Sequence, residues 1–169
     1  ALSANTKSSA NVAIGNSALA THNLTSATAG YNVAVGFNAG VSVSTGTQNT
    51  IIGALAGDAL TTGTAGNVAV GYQALTTQVG YGQNVAIGTQ ALRDQNVNSH
   101  GNNVAVGHQA GLSVSTGTSN TLIGSLAGDA ITTGSHNIAI GREALSSEDA
   151  HGYNIAIGGY ALQDQNAEA

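Results

Sequence analysis

Five histidines, eight carboxylates and three fixed cations (Lys7, Arg93 and Arg142) carry most of the titratable chemistry of this chain, and they are scattered. His22, His100, His108, His136 and His151 include no pair at metal-ligand spacing, and there is no Cys to supply a thiolate. His100, His136 and His151 stand next to Gly or Asn, as exposed turn residues do; a metal-binding or pH-sensing His is the competing reading. Asp58 and Asp129 each follow Ala-Gly, and Asp94 and Asp164 also correspond to each other. One carboxylate per site is too few for an oxygen-rich Ca²⁺ cage, so turn capping is the reading for these acids. Glu143, Glu148 and Asp149 form a small acidic cluster that reads as a solvated face. The serines have no His/Asp arrangement around them, and no Gly-Lys-Ser/Thr phosphate loop occurs. No catalytic residue, cofactor site or metal site is expected.

The aromatics are more orderly. Phe37 and Tyr72 occupy one position of a repeated motif, which also holds His108 and Arg142. With Tyr160, the residues Phe37, Tyr72 and His108 are candidate surface contacts for a ligand such as a glycan, against the plainer reading of ordinary surface. Tyr31, Tyr81 and Tyr153 complete the aromatic set. Thr-rich turns raise ice binding, but Thr clusters on alternate turns only, which disfavours it.

What positions these residues is a repeat. Asn-Val-Ala-Ile-Gly begins at Asn11, and variants begin at Asn32, Asn49, Asn67, Asn84, Asn103, Asn120, Asn137 and Asn154, at spacings of 17 to 21 residues. Such a period predicts a stacked array. With the Asn as position 0, position 4 is Gly in every copy: Gly15, Gly36, Gly53, Gly71, Gly88, Gly107, Gly124, Gly141 and Gly158. Position 7 is always Ala: Ala18, Ala39, Ala56, Ala74, Ala91, Ala110, Ala127, Ala144 and Ala161. Positions 1 and 3 are Val or Ile, apart from Thr50 and Thr121, and position 2 is Ala in the other seven copies. Period-two alternation puts Val12 and Ile14 on one side and Asn11 and Ala13 on the other. A five-residue strand ending at the Gly is predicted, the Gly serving a special backbone conformation or a close backbone approach. The Asn residues should stack as a ladder. The Ala positions are read as an outer face buried against copies of the same chain.

Two copies differ together. Asn49-Thr50-Ile51-Ile52-Gly53 and Asn120-Thr121-Leu122-Ile123-Gly124 enlarge position 2, which predicts a distinct packing layer. Ser44-Thr45-Gly46, Thr61-Thr62-Gly63 and their later equivalents are turn sequences, and insertions at 20–30 and 94–101 are expected to bulge outward. Residues 32–99 match 103–169 at an offset of about 70, as Ala91-Leu92-Arg93-Asp94-Gln95-Asn96 matches Ala161-Leu162-Gln163-Asp164-Gln165-Asn166. The division is therefore an N-terminal segment or cap (1–10), a first rung (11–31), and two four-rung units (32–102 and 103–169).

Composition narrows the function classes. There are 24 Gly and no Pro, Cys, Met or Trp, and 7% of residues are charged, against about 25% in ordinary domains. A net charge of −5 with three fixed cations builds no nucleic-acid surface and no attraction to an anionic membrane. No apolar run approaches a membrane helix. The chain reads as a processed chain or a fragment of a longer one. The fold class is all-β: a β-solenoid or β-roll of about nine 17-residue rungs, forming a rod roughly 43 Å long at the usual strand spacing.

The run Asn67-Val68-Ala69-Val70-Gly71-Tyr72-Gln73-Ala74-Leu75 resembles the repeats of bacteriophage tail fibres and tail spikes and of large bacterial surface proteins. It is similar, more distantly, to the head repeats of trimeric autotransporter adhesins. The resemblance spans residues 11–166 and implies a homotrimer, side by side or intertwined, in an extracellular rod on a virion or cell surface. It implies an adhesive or structural role, with a cell-surface glycan or protein receptor as candidate partner. The repeat is longer than that of the adhesin heads. Three functions compete: a fibre shaft or head segment, a subunit polymerising end to end into a filament, and a glycan-binding module.

Overall fold

The computed structural model describes residues 1–61, 63, 65–78, 82–97, 99–147 and 149–164. Thr62, Tyr81, Glu148, Gln165 and Asn166, singled out in the sequence, lie outside them. The described chain is all-β, with eleven short strands: β1 (Ser8–Ser9), β2 (Val12–Ile14), β3 (Thr28–Ala29), β4 (Val33–Val35), β5 (Thr50–Ile52), β6 (Val68–Val70), β7 (Val85–Ile87), β8 (Val104–Val106), β9 (Thr121–Ile123), β10 (Ile138–Ile140) and β11 (Ile155–Ile157). Nine of them form one parallel sheet in chain order from β2 to β11, with β1 and β3 paired separately. The register aligns each repeat on the next without slippage: Val68 faces Val85, and Val85 faces Val104. This is a β-solenoid of about eight turns.

Each rung has one three-residue strand rather than five residues of strand, and its remainder is a chain of tight turns. The backbone angles explain this. In the rung that starts at Asn84, Gln83, Gly88, Gln90 and Leu92 all have positive φ, at 67°, 133°, 58° and 47°. The same four positions are left-handed in every rung. A non-Gly residue there costs about 1 kcal/mol, offset by inter-rung bonds: Gln90 N–H donates to the Tyr72 carbonyl (2.9 Å) and Leu92 N–H to that of Ala110 (3.0 Å). Gly88 is required twice over, because a Cβ there would fall on the Gly107 carbonyl.

The faces are the reverse of the sequence expectation. The Ala at position 7 is fully buried within the single chain from Ala18 through Ala144, and Ala161 packs half-buried against the same core. Ala34, Ala69, Ala86, Ala105 and Ala139 at position 2 are also fully buried. The Val and Ile ranks point outward instead: Ile14 and Ile157 on the end rungs are 60% and 66% exposed, Ile52 and Ile87 between them 39% and 38%, and the Val residues of the inner rungs are half-buried. The outer-face reading of Ala18, Ala39, Ala56, Ala74, Ala91, Ala110, Ala127, Ala144 and Ala161 is therefore corrected. The physical reason is the narrowness of the coil. Its two walls approach so closely that Ala is what fits opposite the larger side chains of position 8 and position 11.

Those larger positions alternate in pairs of rungs. Position 8 is Leu19, then Gly40 and Gly57, then Leu75 and Leu92, then Gly111 and Gly128, then Leu145 and Leu162. Where it is Gly, position 11 supplies buried Val43, Leu60, Val114 or Ile131. The enlarged position 2 fills the rest. A Cβ on Gly40 would meet Ile51 Cδ1 at 2.8 Å, and one on Gly111 or Gly128 would meet Leu122 methyls at 2.7 Å. One large side chain thus occupies the volume left by two glycines, which accounts for the distinct layer and for the 70-residue offset. Where position 8 is Leu19, Leu75 or Leu92, position 11 is polar yet fully buried, as His22, Gln78 and Gln95; at Leu145 and Leu162 it is Glu148 and Gln165, outside the described residues.

The N-terminal ten residues stack as a partial rung. Leu2 N–H donates to Ala18 O (2.9 Å) and Ala4 N–H to Ala20 O (3.0 Å), and β1 pairs with β3. The insertions do not simply bulge outward: each returns one apolar side chain to shelter, Leu24 (7% exposed) and Val97 (3%).

Candidate functional surface

Position 0 forms a continuous ladder. Each Asn Oδ1 accepts the backbone N–H of the Asn in the following rung, from Asn11 to Asn32 (3.0 Å), Asn32 to Asn49 (3.0 Å), Asn49 to Asn67 (3.1 Å), and onward through Asn84, Asn103, Asn120, Asn137 and Asn154. Side-chain amides of Asn32, Asn103 and Asn120 also donate to the turn carbonyls of Gly46, Gly117 and Gly134. Asn32 through Asn137 are buried. A buried amide needs its partners, and this column supplies them within the coil. The ladder is a structural device.

The titratable groups stay apart. Among the described residues, no three His, Asp or Glu side chains converge to hold a metal. His100, His108 and His136 are exposed, and His136 stacks on Tyr153 with centroids 4.8 Å apart. His22 was not distinguished from the others by composition. It sits at position 11, where the Gly rungs have Val43, Leu60, Val114 and Ile131, and that alignment is the signal for its burial. Its Nε2 lies 2.9 Å from Ser8 Oγ and 3.4 Å from Asn32 Nδ2. Burial pushes its imidazole below the ordinary range, opposed by the Ser44 backbone. Asp58 and Asp129 are half-buried in turns, and burial raises both carboxyls, opposed by backbone N–H donors including those of Ala59 and Ala130. Asp94 makes a two-pronged pair with its neighbour Arg93, 2.7 Å at each contact, a surface pair of small energetic weight.

Two outward features remain. The first is the sheet face: two ranks, positions 1 and 3, with Val or Ile on every rung apart from Thr50 and Thr121. The second is the column at position 5, where Phe37, Tyr72, His108 and Arg142 are all exposed. Tyr160 lies beside this column rather than in it, at position 6, with the Arg142 guanidinium 5.5 Å from its ring centroid. Next to the column, Gln90 donates to Gln73 Oε1 (3.0 Å) and Gln109 to Gln90 Oε1 (2.9 Å).

No family model, curated protein or solved structure matches this chain. The sheet face is apolar, uncharged and about 40 Å long at the usual strand spacing. It suits association. The position 5 column is polar-aromatic and suits a ligand.

Proposed function

We propose that this chain is a structural, adhesive shaft or head segment of an extracellular fibre, on a virion or a cell surface, working as a side-by-side homotrimer without catalysis. The observation that carries the self-association is the pair of outward Val and Ile ranks, strongly exposed on the end rungs and half-buried to just exposed, at 38–39% for Ile52, Ile87 and Ile123, between them. Monomeric proteins seldom leave a long contiguous apolar patch in water. A second copy is the partner that fits, because it has the same rise per rung. Aligned in parallel, it covers every rung, where an irregular partner would cover a few. The number three and the extracellular placement come from the resemblance to fibre and adhesin repeats. The interface lies on the Val and Ile ranks, not on the alanines.

Light scattering on the native protein is the test. A mass of three times 16.5 kDa is expected, falling to one chain in a Val68→Lys/Val85→Lys variant whose circular dichroism stays unchanged. A monomeric wild type at tens of micromolar would remove the reading. Long filaments by electron microscopy would favour the end-to-end polymer instead.

A further inference from the structure

We propose that the position 5 column is a track for an extended, uncharged polysaccharide. Along the rod the column reads Asn16, Phe37, Ala54, Tyr72, Thr89, His108, Ser125, Arg142 and Gly159. Large flat side chains and small ones alternate rung by rung. The backbone holds the column in line: Leu55 N–H donates to Phe37 O (2.9 Å), Gln90 to Tyr72 O (2.9 Å), Leu126 to His108 O (2.9 Å) and Tyr160 to Arg142 O (2.8 Å). Platforms therefore recur every second rung, about 10 Å apart, with an open slot between neighbours. Phe37 is 54% and Tyr72 49% exposed, so their rings are available.

The chemistry of the track selects its ligand. An aromatic face attracts a flat, C–H-covered surface such as one side of a pyranose ring. A two-rung step is close to the length of a disaccharide in an extended chain, so alternate sugars meet platforms and those between lie over Ala54, Thr89 or Ser125. Beside the platforms, Gln90 and Gln109 each give one amide N–H to the ladder and Gln73 only accepts; a primary amide has two N–H groups, so each can offer one to sugar hydroxyls. No carboxylate stands at position 5, and its single fixed cation, Arg142, is held by Glu143 at 2.8 Å. That favours a neutral polymer over an acidic one, and the net charge of −5 disfavours nucleic acid. A second copy fits less well. In register it would set platform against platform, and interlocking would need a one-rung shift. The track does not depend on the fibre reading, since a monomeric rod has the same column.

Electrophoresis of the native protein through gels containing hydroxyethyl cellulose, xyloglucan, galactomannan or dextran tests the proposal. Retardation is expected in at least one gel. A Phe37→Ala/Tyr72→Ala variant with unchanged circular dichroism should lose about tenfold in affinity, whereas Tyr31→Ala/Tyr153→Ala, at the other edge of the sheet, should lose none. On the retarding polymer, calorimetry should show a hexasaccharide binding at least about tenfold more tightly than its disaccharide, as contact with more than one platform requires. Absence of retardation in all four gels, or equal retardation of the Phe37/Tyr72 variant, overturns the proposal. A change in that variant's native mass without loss of retardation would assign the column to contact between copies and overturn it as well.

Discussion

The rungs at Asn32, Asn49, Asn103 and Asn120 and those at Asn67, Asn84 and Asn137 share one backbone but fill it differently. The first group has Gly at position 8 and a wholly apolar position 11. The second has Leu at position 8 and, at Gln78 and Gln95, a buried amide at position 11. The difference shows that apolar volume is conserved over a pair of rungs rather than within each one. Ile51 and Leu122 serve two glycines apiece, so a residue in one rung is chosen by its neighbour. The second group also buries an amide at a place where the first has an apolar side chain: Gln95 Nε2 and Oε1 are buried without hydrogen-bond partners among the described residues.

Substitutions can break this contrast. Leu122→Ala should be the most damaging, at about 2–5 kcal/mol, because it leaves a cavity facing both Gly111 and Gly128. Adding Gly128→Leu with Ile131→Gln should recover part of the loss, since the rung then takes the other type and loses the Ile131 Cδ1 that a Cβ at 128 would meet at 2.8 Å; additive losses in urea unfolding would show that these positions do not share volume. What the rung types have in common should respond equally. Asn84→Ala and Asn120→Ala each orphan the backbone N–H of the next ladder Asn, so each should cost about 1–3 kcal/mol; a large disparity between their urea midpoints would mean that the ladder depends on rung type. Gln95→Leu, which transplants an apolar position 11 into a Leu rung, should stabilise by about 1 kcal/mol; a fall in melting temperature would show that the amide is needed.

The smallest effect concerns Asp129, in a Gly rung. Burial is the main cause of its raised carboxyl, and the Glu143 charge adds to it. A carboxyl raised on folding destabilises the fold when ionised, so the penalty is present above its folded pKa and disappears as pH falls toward the unfolded value. Asp129→Asn should therefore be more stable than wild type at neutral pH, with the gap closing on acidification. Parallel melting curves from neutral to acidic pH check this, and a gap that widens on acidification would reverse the sign.

Much of this architecture was readable from residue types. The period, the parallel register, the Gly column at Gly88 and its equivalents, and the Asn ladder all follow from strict positional identity, because each demands one side chain on every rung. Which face lies inside was not readable from alternation. Period two places Asn84 and Ala86 on one side and Val85 and Ile87 on the other, but it does not say which side encloses the core. The larger side chains invited the usual assignment of Val and Ile to the interior, and steric room decided otherwise. The ladder held the clue: Asn84 shares a side with Ala86, and an amide column bonded rung to rung belongs where water is excluded. The role of position 8 was hidden for a different reason. Gly40 and Leu75 look like free variation until the distant Ile51 is seen to occupy the vacated space.

The Asn ladder has one more consequence. Between parallel strands the backbone bonds run both ways, as Val33 N–H donates forward to Asn49 O and Gly53 N–H back to Val35 O, so their dipoles largely cancel. The side-chain amides do not cancel. Asn49 donates back to Asn32, Asn67 to Asn49 and Asn154 to Asn137, each at 3.1 Å, with every C=O aimed toward the following rung. The column is an aligned row of dipoles running the length of the rod, positive at the Asn11 end and negative at the Asn154 end. Like an α-helix, the rod has an electrical polarity: a charged partner meeting the two ends of the ladder would find opposite signs.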